Sequence, residues 1–150
     1  MILPTASPVI TAVTIGNPHC VIFTEHPLAE QAQTLGPLIE TAAQFPNRTN
    51  VQFARVINRH ALAIEIWERG AGYTLASGTS ACAAAGAAIR TGRCASPVEV
   101  RMAGGSALVE IDDKWQVTLT GPVEAVYSGQ FSKDFLHRTG KLSADRQRNS

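Results

Sequence analysis

Hydrophobic and β-branched residues alternate with polar ones in several short runs, a pattern typical of β-strands with one buried face. The runs "VITAVTI" (residues 9–15) and "CVIF" (residues 20–23) flank a tight "GNPH" turn. The runs "VQFARVI" and "HALAIEIW" meet through Asn58 and Arg59, which predicts a hairpin. Farther along, "PVEVRM", "SALVEID" and "KWQVTL" predict three more strands, followed by a short "VEAVYS" segment. The pattern predicts a β-rich domain.

A first helix is predicted for residues 27–44, where apolar residues recur at helical spacing. Proline removes a backbone donor and its ring clashes with the preceding helical turn. The Gly36-Pro37 pair therefore predicts that this helix breaks or restarts near its middle.

A second helix is predicted in "SGTSACAAAGAAIR". The hydroxyls of Ser77, Thr79 and Ser80 suit the free N–H groups of its first turn. Arg90 suits the negative end of the helix dipole, and Gly92 suits a left-handed C-cap. Because nearly all its side chains are small, this helix must be approached closely on every side. We expect it to run through the middle of a barrel formed by the strands.

The start of this second helix is open to two interpretations. Its first-turn N–H groups carry a partial positive charge and form a ready site for a carboxylate or phosphate. Gly70 and Gly72 let the preceding loop turn sharply beside it. The same features also fit a well-capped buried helix with no ligand. The glycine spacing matches neither a Walker A loop nor a dinucleotide-binding fingerprint.

Composition places the chain among ordinary globular domains. It has 150 residues, of which 45% are hydrophobic and 17% charged, enough for one domain with a real core. We assign residues 1–130 to a single lobe. The polar, aperiodic residues 131–150 are predicted to form a flexible tail.

Charge and cysteine content narrow the range of partners and compartments. A net charge of +1 disfavours nucleic acid as a partner. No apolar run approaches the roughly 20 residues that span a bilayer, and the N-terminus lacks a secretory signal pattern. Cys20, Cys82 and Cys94 are odd in number and lack metal-ligand spacing. They suit a reducing cytoplasm, and we expect them to be structural.

Three motifs carry a resemblance to a known family. "GNPHCVIF", "FPNRTNVQFARV" and "WERGAGYTLASGTSACAAA", in this order, resemble the C-terminal half of diaminopimelate epimerase over roughly residues 9–130. Members of this family have the same broad fold as proline racemase. The resemblance implies an α+β lobe, a barrel-like, mostly antiparallel sheet around a central helix. It implies two such halves with the active site in the cleft between them.

The resemblance also implies a reaction. A thiolate from one half removes the α-proton of an amino acid, and a thiol from the other half delivers a proton to the opposite face. The helix N-termini hold the substrate α-carboxylate and stabilise the planar carbanion. The implied substrate is diaminopimelate, converted from the LL to the meso form in lysine and cell-wall precursor synthesis, with neither cofactor nor metal.

By position, the resemblance assigns a substrate-binding set. Asn17 and Asn50 would hydrogen-bond the distal amino-acid end of diaminopimelate. Arg69 would pair with its distal carboxylate, and Glu68 would reach an ammonium group. Each of these residues also has a structural interpretation, as a turn asparagine or a strand-end surface pair. Their joint occurrence in family order favours the functional interpretation.

Three further residues complete the implied site. Gly78 and Thr79 would offer backbone N–H groups to the α-carboxylate, and Thr79 would add its hydroxyl. His19 would lie nearby and tune the electrostatics, although it could also simply close the "NPH" turn.

Ser77 departs from the family pattern, which has cysteine at this position. A thiol with a reference pKa of ~8.5 becomes a thiolate far more readily than a serine hydroxyl ionises. As a base, Ser77 would need activation by His19 or Glu68, so these three are the catalytic candidates. The serine is compatible with an altered reaction, a loss of catalysis or an engineered substitution. Cys82 lies about 7 Å deeper along the helix and is interpreted as a core residue.

The second departure is length, because the other catalytic half is absent from these 150 residues. A lone half exposes the face that its partner would cover, which favours a homodimer or a partner N-terminal lobe. Two alternatives to an epimerase lobe stay open. One is an impaired lobe that binds an amino acid or a partner, and the other is a dehydratase of the same fold.

Overall fold

The computed structural model describes residues 9–139, and all the predicted strands form within that range. The helices and strands, in chain order, are β1 (Ile10–Thr14), β2 (Pro18–Phe23), α1 (Ala29–Glu40), β3 (Asn50–Asn58), β4 (Ala61–Glu68), β5 (Gly72–Thr74), α2 (Gly78–Arg90), β6 (Val98–Met102), β7 (Gly105–Ile111), β8 (Val117–Thr120) and α3 (133–139). The short β5 had no counterpart in the sequence prediction.

The strands form one mixed, mostly antiparallel sheet in the order β1-β2-β3-β4-β6-β7-β8, with β5 paired to β4. Only the β2–β3 and β4–β6 pairs are parallel. The sheet curls around α2, which contacts every strand except β5. Within the described residues β1 and β8 do not pair, so the sheet is an open half-barrel. The expected α+β class, a barrel-like sheet around a central helix, is confirmed.

The small alanine side chains of α2 allow the strands of the sheet to pack directly against the helix. The alanine side chains that are fully buried in the core are Ala81, Ala83, Ala84, Ala85, Ala87 and Ala88. They pack against apolar residues of the surrounding strands, including Leu62, Val100 and Val109. At the end of α2, Gly92 has φ +72°, so it takes the left-handed conformation that the sequence predicted.

The first helix is continuous, so the predicted break at Gly36-Pro37 is wrong. α1 runs from Ala29 to Glu40 with Pro37 inside it. It packs against β3, β4 and β5, and this packing outweighs the hydrogen bond that proline removes. Gly36 has a separate role, because it lies directly against the side chain of Trp67.

The chain leaves the sheet after β8. Residues 121–132 have no regular secondary structure and are exposed. Residues 133–139 are helical, although the sequence pattern predicted no helix there, and all but the last are exposed. The rest of the predicted tail, residues 140–150, lies outside the described residues, as do residues 1–8.

Two helical glycines are predicted to respond oppositely to alanine. A Cβ on Gly36 would overlap Trp67, whereas the nearest atom to a Cβ on Gly86 is Ile111 Cδ1 at 3.8 Å, an ordinary contact. Gly36→Ala should destabilise the fold by about 1–3 kcal/mol. Gly86→Ala should stabilise it by about 0.5–1 kcal/mol through helix propensity. Urea unfolding of both variants measures this, and equal effects of the same sign would contradict the packing described for α1.

Candidate active site

All the sequence-predicted site residues lie at one end of the sheet. The parallel strands β2 and β3 begin there, with His19 opposite Asn50. Strand β4 runs the other way and ends there at Glu68. The N-terminus of α2 opens at the same end, because its N-cap Ser77 is hydrogen-bonded to Glu68. The topology thus gathers residues that are up to 62 positions apart in the chain, from Asn17 to Thr79.

Ser77 and Glu68 form a hydrogen-bonded pair at the start of α2. The Ser77 hydroxyl donates to Glu68 Oε1 at 3.1 Å. Its oxygen accepts the backbone N–H of Ser80 at 3.3 Å, the N-cap bond of the helix. The hydroxyl of Thr79 lies 3.3 Å from the same oxygen. The proton of Ser77 is therefore directed at a carboxylate oxygen that is placed to receive it.

The first turn of α2 presents its N–H groups beside this pair. Gly78 and Thr79 are exposed, and helix geometry supplies no acceptor for the N–H groups of the first turn. A Cβ on Gly78 would lie 2.8 Å from Leu119 Cδ2 of β8, so a larger residue here would displace the end of that exposed side chain. The arrangement leaves two adjacent donors at the positive end of the helix dipole, where an anion is stabilised.

His19 is buried in a chain of polar side chains. Its Nε2 lies 3.0 Å from Asn17 Oδ1, and its Nδ1 lies 3.0 Å from Gln52 Nε2. Since Asn17 presents an acceptor and Gln52 a donor, the proton belongs on Nε2. Burial lowers the pKa of the imidazole to about 4, and the Arg69 charge also lowers it. His19 is therefore neutral near pH 7.

His19 reaches Ser77 only through intermediates. Gln52 Nε2 also donates to Ser80 Oγ at 3.0 Å, and the N–H of Ser80 donates to Ser77. Two activators of Ser77 were proposed from the sequence. Glu68 is hydrogen-bonded to it directly, whereas His19 is linked to it through two intervening residues, Gln52 and Ser80. In this arrangement His19 can orient Asn17 and the α2 terminus, whereas Glu68 can exchange a proton with the hydroxyl.

Asn50 and Arg69 are held together at the other side of the site. Asn50 Nδ2 donates to the carbonyl of Pro18 at 2.9 Å, and Asn50 Oδ1 accepts the backbone N–H of Arg69 at 2.9 Å. Arg69 Nη1 donates to the carbonyl of Asn47 at 2.9 Å. Asn50 is itself buried. Its two hydrogen bonds join the start of β2 to the turn after β4 and fix the backbone position of Arg69.

An open pocket of about 500 Å³ adjoins Arg69. Its lining includes two arginines, Arg48 and Arg69, together with Asn17. The remaining lining residues are Thr14, Gly16, Pro18, Gln44, Phe45, Pro46 and Asn47. The α2 terminus lies outside this lining, so the site has two anion-favouring parts, the pocket and the helix mouth.

The sequence analysis missed several polar residues that build the site. Gln52 and Ser80 are completely buried, and Glu40 is nearly so. Gln52 could have been noticed as a lone amide within the apolar run "VQFARVI". Arg48 has φ +58°, a left-handed conformation that is uncommon outside glycine and that clusters at functional sites. Nothing in the sequence alone indicated that conformation.

The three cysteines lie away from the Ser77–Glu68 pair. Burial raises the pKa of Cys20 to about 11 and raises the pKa values of Cys82 and Cys94. All three therefore remain thiols near neutral pH. Cys82 lines an apolar gap of about 280 Å³ between β1, α2 and the β7–β8 hairpin.

Two negative observations apply to residues 9–139. In that range no helix is long and apolar enough to cross a membrane. The same part of the chain contains no group of three or more His, Cys, Asp or Glu side chains arranged to hold a metal ion.

The depressed pKa of His19 predicts an acid-sensitive fold. Between pH ~6.5 and ~4 the unfolded chain binds a proton at His19 and the folded chain does not. Stability should therefore fall as pH drops through this window, by up to about 1.4 kcal/mol per pH unit from this group. Chemical unfolding at several pH values measures the slope.

His19→Gln should flatten that slope, and substitution of the exposed His26 by glutamine serves as the matched control. A slope unchanged by His19→Gln, or flattened equally by His26→Gln, would contradict the assignment of a neutral buried imidazole.

Comparison with known structures agrees with the half-barrel. A phenazine biosynthesis protein of the PhzF family from Bacillus anthracis superposes with a TM-score of 0.53 at 11% identity. The match covers 73% of this chain and 37% of that protein. At this identity the likeness concerns the fold alone.

The chain is much more similar in sequence to several curated proteins than it is to that structure. Diaminopimelate epimerase 2 of a Nostoc species is 49% identical over 125 residues, 83% of this chain and 44% of that protein. Diaminopimelate epimerase of Pelotomaculum thermopropionicum is 46% identical over 122 residues, 81% of this chain and 44% of that protein. The chain thus spans less than half the length of these relatives. The family model for diaminopimelate epimerase matches residues 11–126, and the chain belongs to the diaminopimelate epimerase family.

Proposed function

We propose that this chain is the C-terminal lobe of a cofactor-independent amino-acid epimerase that converts LL- to meso-diaminopimelate in the cytoplasm, for lysine and cell-wall synthesis. The observation that carries the proposal is the Ser77–Glu68 pair at the N-terminus of α2, bonded at 3.1 Å. A proton-transfer group, its carboxylate partner and a helix N-terminus for the substrate anion occur together there. Named relatives at 40–49% identity support the substrate class.

Substrate binding divides between the two parts of the site. The α-carboxylate would bind the N–H groups of Gly78 and Thr79, where the helix dipole stabilises negative charge. The distal carboxylate would pair with Arg69, and Asn17 would hydrogen-bond the distal end. Asn50 would act through Arg69, whose backbone N–H it accepts, besides any contact of its own. This division would favour a dicarboxylic amino acid over a short one.

Proton transfer is expected at residue 77. The α-proton passes to the base on one face, the electron pair is delocalised into the carboxylate held by α2, and the partner lobe delivers a proton to the other face. A serine hydroxyl is a weak base unless Glu68 takes its proton at the same time. Glu68 is the natural acceptor because Ser77 already donates to it. His19 would orient the site as a neutral imidazole.

The second half of the cleft would come from a partner N-terminal lobe or a second copy of this chain. A two-face reaction needs groups on both sides of the α-carbon. The described chain exposes several large apolar side chains beyond β8, among them Val123, Val126, Tyr127 and Leu136. Exposed apolar surface of this kind favours burial against another protein.

Two alternatives are favoured by Ser77 itself. A lobe that binds the amino acid without inverting it would keep Arg69 and the α2 terminus but lack a sufficiently strong base. A dehydratase of the same fold would need a strong base on one face only. Binding without exchange favours the first alternative, and exchange of the α-hydrogen without inversion favours the second.

We predict that a thiol at residue 77 restores fast inversion. Ser77→Cys, mixed with the N-terminal half of a diaminopimelate epimerase, should form meso-diaminopimelate at least ~10²-fold faster than the unmodified chain, the usual scale of acid–base catalysis. Chiral chromatography of the product measures this. Ser128→Cys, at an exposed position, is the matched control and should change nothing. No meso product with Ser77→Cys would overturn the proposal.

A further inference from the structure

Glu40 is a buried carboxylate at the last residue of α1, outside the set that the sequence assigned to the site. It is only 5% exposed. A buried carboxylate costs several kcal/mol unless its oxygens are hydrogen-bonded. The partners of Glu40 therefore determine why this residue is tolerated there.

Its carboxylate accepts three hydrogen bonds, from strand β4, from the turn after it and from the loop before β3. Trp67 Nε1–H donates to Oε2 at 2.7 Å, and the backbone N–H of Gly70 donates to Oε1 at 3.2 Å. Arg48 Nη1 donates to Oε1 at 3.4 Å. The carbonyl of Glu40 also accepts the backbone N–H of Thr49 at 3.3 Å. One residue thus joins the "WERG" turn to the "FPNRTN" loop.

These donors bracket the functional pair Glu68-Arg69. Trp67 precedes the pair and Gly70 follows it, so both ends of the dipeptide are tied to one carboxylate. Trp67 cannot move toward α1, because its ring already lies against Gly36. Glu68 in turn accepts the Ser77 hydroxyl. A displacement of the Glu40 carboxylate would therefore move Glu68 and Arg69 together.

The same carboxylate is also bonded to Arg48, a residue of the pocket wall. Arg48 lines the 500 Å³ pocket with Arg69, and its own side chain is 61% exposed. Arg48 therefore remains available to a ligand while Glu40 limits its range. The Glu40–Arg48 contact is long, so the two bonds to the "WERG" turn carry most of the constraint.

We propose that Glu40 is a positioning residue that holds Glu68 and Arg69 in place relative to Arg48 and to the α2 terminus. The inference rests on the proposed function, since it assumes that Glu68 and Arg69 act on a dicarboxylic amino acid. Glu40 acts through Trp67 and Gly70 and does not touch the substrate. Glutamine at this position keeps one acceptor oxygen and places an NH2 donor where the other was, so one of the two N–H donors loses its acceptor. A misplacement of about 1 Å in a catalytic group costs ~10²-fold in rate.

The test compares Glu40→Gln, Trp67→Phe and the control Glu30→Gln, an exposed position on the same helix. All are made in the Ser77→Cys background and assayed with the partner half for KM and kcat of inversion. Glu40→Gln should lower kcat by ~10²-fold and raise KM. Trp67→Phe, which removes one of the bonds and retains an aromatic ring, should cause a smaller loss in the same direction. Glu30→Gln should match the parent.

A spectroscopic readout separates positioning from folding. The chain has two tryptophans, and the indole N–H signal of Trp67 reports its bond to Glu40 directly. Glu40→Gln should shift this signal in a nitrogen–proton correlation spectrum and speed its exchange with solvent, while that of Trp115 stays in place. Thermal unfolding shows whether the variant is folded. If Glu40→Gln is not folded, the kcat and KM of Trp67→Phe test the proposal instead.

The outcomes are distinct. Folded Glu40→Gln with unchanged kcat and KM would overturn the inference and leave the proposed function intact. Loss of activity with unshifted signals of both the Trp67 indole N–H and the Gly70 backbone N–H would also overturn it, because the turn would not have moved. A Ser77→Cys parent that neither binds nor inverts diaminopimelate would overturn the proposed function, and this inference with it.

Discussion

The close approach of the sheet to α2 is the constraint on which the rest of the structure depends. Seven strands contact this one helix, and they can do so because its buried face is almost entirely alanine. Larger side chains would push the strands outward and separate β2, β3 and β4 from the helix terminus. The core of the lobe and the geometry of its site therefore have the same cause.

Two polar networks hold the candidate site, and Glu40 links them because it is bonded on both sides of the Glu68-Arg69 pair. Asn50 and Glu40 fix the turn that carries Arg69. The chain from Asn17 through His19 and Gln52 ends at Ser80, within the first turn of α2. Buried networks of this kind orient functional groups because every displacement leaves a polar atom unpaired. A change at residue 77 can therefore alter the chemistry while the binding groups keep their positions.

Much of this architecture could be predicted from local patterns. Alternation located the strands, and the hydroxyls and Gly92 located the ends of α2. The break predicted at Pro37 was wrong, because tertiary packing of α1 against β3, β4 and β5 outweighs one lost hydrogen bond. The resemblance named the site residues, but the roles of Gln52 and Glu40 depend on contacts between residues far apart in the chain. The left-handed backbone at Arg48 was equally invisible to pattern analysis.

We propose that this lobe retains an epimerase site in which the serine hydroxyl limits the chemistry. Deuterium incorporation at the α-carbon of diaminopimelate in heavy water tests it most directly, with the partner half present. We expect slow or undetectable incorporation with the unmodified chain and rapid incorporation with Ser77→Cys. Equal incorporation by both chains would show that the serine is a competent base. No incorporation by either would contradict the epimerase account altogether.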